Sequence, residues 1–219
     1  MTTSHAIIPV RDFANTKIRL RTVLSESERA GLTSVLLDIV LCALERSEVT
    51  DVTVVATDPE EVEPKLKRFP KSRILKEVKR RGGVNSAVIQ GMDSLPSALG
   101  NDFLILLIPS DLPFLGPEVV NEAISVANDA DIVINPSRKR DGTSLLLMKP
   151  FHKIPLHYDD NSFVRHLDEA LKLGLRVVVL DQNSFSFDVD DENDLALLKS
   201  EMRVDSFPEL INELRKRSQ

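Results

Sequence analysis

Three observations predict an α/β fold of three layers, with helices on both faces of a mostly parallel mixed sheet. Short apolar or β-branched runs alternate with helix-length segments along most of the chain. One run, Asp102 to Ile108 (DFLILLI), is apolar without alternation, as a strand buried on both faces requires. Glycine is scarce, 8 in 219 residues, and no Gly/Ser linker or internal repeat interrupts the pattern, so one domain spanning 1–219 is expected.

The elements follow in order. Ala6 to Val10 reads as a buried strand, and residues 11–24 are polar and basic without a helical stripe, so they read as a loop. Ser25-Glu26-Ser27-Glu28 is a capping box, because the hydroxyl can accept from the Glu28 N–H while the carboxylate reaches back. A helix to about Glu45 follows, with Leu32, Val35, Leu36, Ile39, Val40 and Ala43 on its apolar face. Asp51 to Thr57 is a strand, Pro59 to Phe69 a helix, Arg73 to Glu77 a weaker strand and Asn85 to Leu95 a helix. After the central apolar run, Pro117 opens a helix to about Asn128. Ile132 to Asn135 and Ser144 to Lys149 are strands, Ser162 caps a helix to about Leu173, and Arg176 to Leu180 and Ser186 to Val189 are strands. Helices then start near Asp191 and near Ser206, the last (206–217) a peripheral appendage or dimer contact.

Composition narrows the function. Hydrophobic residues at 42% and charged residues at 28% are globular values, and a net charge of −6 disfavours a nucleic-acid or anionic-membrane binder. The lone Cys42 allows no internal disulfide, and no Cys/His zinc spacing exists. Met1 to Val10 lacks a cationic segment leading into a long apolar one, and the longest apolar run is too short to span a bilayer. A soluble cytoplasmic protein is expected. The four histidines are scattered, and His166 reads as a helix-surface or packing residue.

In open α/β sheets ligands sit beyond the carboxyl ends of strands, so the residues there matter most. After the first strand come Arg11, Lys17 and Arg19, either a solvated basic loop or a clamp for a polyphosphate. Neither G-x-G-x-x-G after the strand nor G-x-x-x-x-G-K-[ST] anywhere is present, which counts against a Rossmann dehydrogenase and a P-loop enzyme. Ile108-Pro109-Ser110-Asp111-Leu112-Pro113 puts Asp111 where the central strand opens. Phe187-Asp188-Val189-Asp190 would place Asp188 and Asp190 on one face of a strand. Three such carboxylates suit Mg²⁺, the reading preferred for Asp111, Asp188 and Asp190; the alternative is that Asp190 or Asp191 caps the helix that follows, and capping and its dipole are the preferred reading for Asp191, Glu192 and Asp194. Residues 63–81 hold nine Lys/Arg against two Asp/Glu; the default reading is a solvated basic face, although Arg80-Arg81-Gly82-Gly83 leads into a helix N-terminus, a natural anion site.

Six segments occur together in order: Pro9-Val10-Arg11 with Lys17-Ile18-Arg19-Leu20, Gly83-Val84-Asn85-Ser86-Ala87, Pro109-Ser110-Asp111-Leu112-Pro113, Asp141-Gly142-Thr143-Ser144-Leu145-Leu146-Leu147, Ser162-Phe163-Val164-Arg165-His166, and Phe187-Asp188-Val189-Asp190. From about residue 6 to 198 the chain resembles the 2-phospho-L-lactate guanylyltransferase family. That resemblance implies a glycosyltransferase-A-like nucleotidyltransferase fold and a role in coenzyme F420 biosynthesis. It implies transfer of GMP from GTP to the phosphate of a small phosphorylated carboxylic acid, 2-phospho-L-lactate or a relative such as phosphoenolpyruvate or 3-phosphoglycerate, with release of pyrophosphate. On the matching positions Asp111, Asp188 and Asp190 would hold Mg²⁺, Lys17 and Arg19 would face the nucleotide phosphates, and Thr143 and Ser162 would contact the acceptor. Arg11 and Gly83 would help bind the nucleotide, and Asn85 would lie near its base or ribose. Two departures stand out: Arg11 replaces the family's usual Lys, and Tyr158-Asp159-Asp160-Asn161 precedes Ser162 where the family often has Phe-Gly.

Such chemistry needs charge neutralisation and alignment more than a general base, because the attacking phosphate oxygen is already ionised. Two other readings are a different cofactor or sugar nucleotidyltransferase, such as a molybdenum-cofactor guanylyltransferase, and a non-catalytic nucleotide-binding module. The first usually carries a Gly-rich loop after its first strand, which this chain lacks; the second would not need paired metal carboxylates.

Overall fold

The computed structural model describes residues 3–78, 83–96, 103–149 and 154–201. The expected helix over 206–217 and the basic Arg80-Arg81-Gly82 stretch lie outside the described residues.

Seven strands form one sheet: β1 (Ser4–Val10), β2 (Asp51–Ala56), β3 (Ser72–Lys76), β4 (Leu104–Leu107), β5 (Ile132–Pro136), β6 (Thr143–Met148) and β7 (Val177–Val179). Their order is β3-β2-β1-β4-β6-β5-β7, parallel except for β6, which runs against both neighbours. Helices α1 (Glu26–Arg46), α2 (Pro59–Leu66), α3 (Gly83–Asp93), α4 (Pro117–Val126), α5 (Ser162–Lys172), the single turn α6 (Asn183–Ser186) and α7 (Glu192–Glu201) complete the described elements.

The unbroken apolar run becomes the centre of the sheet, and its side chains alternate between two cores. Leu104 and Leu106 face the helices α1, α2 and α4, whereas Ile105 and Leu107 face α3 and α5. Ala6 and Ile8 of β1 join the first core and Ile7 the second. On the second side α3 approaches β1 closely: a Cβ on Gly91 would meet Ile7 Cγ2 at 2.6 Å. The capping box of α1 forms as read, with both of its hydrogen bonds present.

A third cluster explains how a polar loop becomes fixed. Residues 11–24 contain two 3₁₀ turns, Phe13–Asn15 and Ile18–Leu20, rather than irregular chain alone. Leu20 and Leu24 bury against Leu32, Leu36 and Ile39 of α1 and against Phe187, Val189, Leu195 and Leu198 near the C-terminal helix. Two local expectations need correction. Ser186 to Val189 is no strand: Phe187 and Val189 point inward every second residue, yet they pack on α1 instead of pairing with an edge. Ser162 does not cap α5. Asn161 precedes the helix in left-handed conformation (φ 47°), and the Ser162 hydroxyl turns to Thr143.

Candidate active site

Chain direction reverses its lateral progress between β1 and β4. From β1 the chain goes outward to β2 and β3, then returns to place β4 on β1's other side. The loops leaving these two neighbours diverge and open a crevice, the usual ligand position in such sheets. Because β6 is antiparallel, its first residue, Thr143, comes to the same sheet edge, opposite Pro136 at the end of β5.

A cavity of about 530 Å³ fills this crevice, lined among others by Arg11, Lys17, Arg19, Asp111, Thr143 and Asp190. A neighbouring hollow of about 280 Å³ shares Arg19 and Asp190 with it and adds Ser162 and Asp188. A third, about 520 Å³, extends past Arg11 to Gly83, Thr57 and Glu77. Residues separated by more than 170 positions therefore converge.

At the centre lies Lys17, whose side chain is only 5% exposed. Its Nζ is ion-paired with Asp111 and lies 3.5 Å from Asp190 Oδ1. Burial works to lower the ammonium's pKa, but Asp111, Asp190 and Asp188 overcome it and hold the group above its ordinary value. The backbone of Lys17 sits in the left-handed region at φ 52°, a conformation unusual for a residue with a Cβ. The 3₁₀ turn that starts after it, pinned by buried Leu20, aims the side chain inward. Asp188 is pushed up to about 6 by burial and by the carboxylates of Asp111 and Asp190, with Lys17 pulling the other way.

These three aspartates offer hard oxygen donors of the kind Mg²⁺ takes, and a divalent cation would relieve the part of the Asp188 rise that, after burial, comes from Asp111 and Asp190. The donor chemistry fits the ion. Among the described residues no group of three or more acidic, imidazole or thiol side chains is placed to hold a metal ion, and the Lys17 ammonium is held between Asp111 and Asp190.

Capping and site formation divide between neighbours. Asp191 caps α7: its Oδ1 accepts from the N–H groups of Asn193 and Asp194 at 3.0 and 3.1 Å. Asp194, expected only to favour the helix dipole, does more. It is 2% exposed, pairs with Arg138, and its Oδ2 accepts from the backbone N–H of Asp190 and of Asp191, 3.1 Å each. It thereby fixes the segment carrying Asp190. The four-residue spacing from Asp190 to Asp194 was the available signal. Asn135 plays a similar part, donating to Ser186 Oγ (2.9 Å) and accepting from the Gln182 N–H (3.0 Å).

Thr143 and Ser162 come together, with Ser162 Oγ donating to Thr143 Oγ1 at 3.2 Å. Beneath them His166 is fully buried, and burial lowers its pKa to about 4. Asn85 faces elsewhere. Its Oδ1 accepts from the Tyr158 N–H (2.8 Å) and its Nδ2 donates to Asp159 (2.9 Å), so it ties α3 to the 158–159 loop. Gly83 begins α3 at φ 59° beside Arg11, and a Cβ there would lie 3.9 Å from the guanidinium. Tyr158, unremarked in the sequence except as part of a departure, lines two of the three cavities, and its hydroxyl has no partner among the described residues.

This is the architecture of the nucleotide-diphospho-sugar transferase-like proteins. A protein from Desulfovibrio desulfuricans described as a nucleotide-diphospho-sugar transferase superposes with a TM-score of 0.75 at 19% identity, over 100% of this chain and 96% of its own. A nucleotidyl transferase from Methanothermobacter thermautotrophicus does so at 0.65 and 14%, covering 99% and 100%. At the family level the match is closer: the model for the "Guanylyl transferase CofC like" family covers residues 4–202, and the chain belongs to that family. A phosphoenolpyruvate guanylyltransferase from Rubrobacter xylanophilus is 34% identical over 200 residues, 89% of this chain and 93% of that protein. A 2-phospho-L-lactate guanylyltransferase from Methanothermobacter thermautotrophicus is 35% identical over 192 residues, 87% and 81% of the two chains.

Proposed function

We propose that this protein transfers GMP from GTP to the phosphate of a small phosphorylated carboxylic acid, 2-phospho-L-lactate or phosphoenolpyruvate, in coenzyme F420 biosynthesis. The observation that carries this reading is the buried Lys17 held by Asp111 and Asp190 at the β1/β4 switch point, in a chain of the guanylyl transferase family. An acceptor phosphate oxygen attacks the α-phosphorus of GTP; the new P–O bond forms as the bond to the β-phosphate breaks, and pyrophosphate leaves. The attacking oxygen is ionised near neutral pH, so no base need remove a proton.

Each residue then has a defined task. Lys17 and Arg19 meet the negative charge on the departing pyrophosphate. Arg11, with Gly83 beside it, receives the nucleotide, and the space toward Glu77 accommodates the nucleoside. Thr143 and Ser162 hold the acceptor. Asp111, Asp188 and Asp190 would hold Mg²⁺, which would supply neutralisation of phosphate charge. Asn85 fixes the loop before Ser162 through its bonds to Tyr158 and Asp159.

The protein is further proposed to act in the cytoplasm as a homodimer, with no nucleic-acid or membrane partner. Among the described residues no helix is long and apolar enough to cross a membrane. Incubation with GTP, Mg²⁺ and each phospho-acid in turn, with mass detection of the product, tests the activity. The guanylyl diphosphate of one acid and stoichiometric pyrophosphate are expected; no product from any of them overturns the reading. Sedimentation of the full chain tests the dimer.

A further inference from the structure

We propose that His166 is a positioning residue that fixes the hydroxyl of Thr143 as a hydrogen-bond donor to an anionic oxygen of the phospho-acid. This rests on the reading above that Thr143 faces the acceptor.

His157 donates its backbone N–H to His166 Nε2 at 2.8 Å. A backbone amide can only donate, so Nε2 presents a lone pair. A neutral imidazole with a bare Nε2 carries its proton on Nδ1. The burial that keeps the ring's pKa far below neutrality favours that uncharged form. Nδ1 lies 3.0 Å from Thr143 Oγ1, and it is therefore the donor. Ser162 Oγ also donates to the same oxygen, at 3.2 Å.

Thr143 Oγ1 thus accepts twice, which occupies both of its lone pairs. Its own proton is left to give, and the residue lines the cavity that holds Lys17, Ser110 and Asp111. A hydroxyl with both lone pairs engaged and its proton free is selective: it binds an oxyanion and cannot accept from a donor. The imidazole is itself held in place, edge-on to the Tyr158 ring at 5.0 Å between centroids and 6.0 Å from the His157 ring. Asn85 steadies this arrangement from the far side through the Tyr158 N–H.

A merely structural histidine would affect stability and leave acceptor binding alone, so two substitutions separate the roles. In His166→Gln the amide oxygen can still accept from His157, but nothing replaces the Nδ1 donor. In His166→Asn the amide nitrogen falls near the Nδ1 position and restores the donor to Thr143. With GTP and the acid that the wild type turns over fastest, His166→Gln should raise the acceptor KM about tenfold or more and alter the GTP KM by less than about twofold, with His166→Asn recovering most of the loss. An unchanged acceptor KM in folded His166→Gln, or equal rises in both KM values, overturns the proposal.

Should the variants fail to fold, the wild type decides the matter through a long-range ¹H–¹⁵N correlation spectrum of the histidine rings at pH 7. His166 protonated on Nδ1 alone is expected; protonation on Nε2, or on both nitrogens, overturns it. A wild-type protein that turns over no phospho-acid is a failure of the functional reading instead, and the tautomer result stands apart from it.

Discussion

Two walls of the central cavity differ in physical character. One wall is ionic: Lys17, Arg19, Asp111 and Asp190, with the lysine paired, buried and in a left-handed backbone conformation. The other carries no charge at Thr143, which accepts from Ser162 and is backed by an uncharged His166. Charge acts over several ångströms and tolerates displacement of its target; a hydroxyl acts over one contact and demands alignment. On the proposed function, the ionic wall would meet the polyphosphate, whose charge moves during reaction, and the neutral wall would choose among small acids. A family whose members are named for different acceptors would vary the second and keep the first.

Breaking the ionic wall should have the largest effect. Lys17→Ala and Asp111→Ala should each lower pyrophosphate release by about 10²-fold or more while the chain still folds, measured by coupled phosphate detection and circular dichroism. Wild-type rates in either folded variant would remove that wall from the chemistry.

The neutral wall should show itself through acid. His166 is neutral in the fold with its pKa lowered to about 4, whereas the unfolded chain takes up the proton near 6.5. The unfolded state thus binds more protons between these values, and stability falls as pH drops from about 6.5 toward 4, by about 2–3 kcal/mol for this group. Denaturant titrations at pH 7 and 4.5 check it: His166→Gln should lose less on acidification than wild type. His5, lowered to about 4 by burial and by Arg73, keeps its own share in both proteins.

A smaller effect tests how the ionic wall is supported. Asp194→Asn should cost about 1–3 kcal/mol, because the two N–H bonds and the Arg138 pair weaken together. Turnover should fall with it, since Asp190 loses its anchor, while the acceptor KM holds. Least of all, Ser25→Ala should cost about 1 kcal/mol at the start of α1 and leave turnover and both KM values unchanged, as measured by thermal melts and steady-state assays.

How much of this was legible in the sequence depended on whether the signal was local. The capping box is four residues long and reads correctly, because both of its bonds lie within it. Asp111 follows an unmistakable central strand, so its place at the crevice was legible too. The direction of β6 was not, because an apolar run reads the same forwards and backwards; yet that reversal is what brings Thr143 to the site. Phe187 and Val189 alternate like a strand, and only the tertiary partner, α1, decides that they pack without pairing. Ser162 looks like a cap, but a hydroxyl 19 positions away claims it. His166 gave a packing signal and is indeed buried; its hydrogen-bond partners, 9 and 23 positions distant, carry the information that periodicity omits.

The pairing of Lys17 with Asp190 spans 173 positions, while Lys17 and Asp111 are 94 apart. During synthesis the lysine leaves the ribosome first and waits, solvated, for both aspartates. Leu20, three residues on, packs with Phe187, Val189 and Leu198, which emerge late. A nascent chain halted before residue 190 therefore contains the residues of all seven described strands and lacks the second carboxylate that Lys17 pairs with.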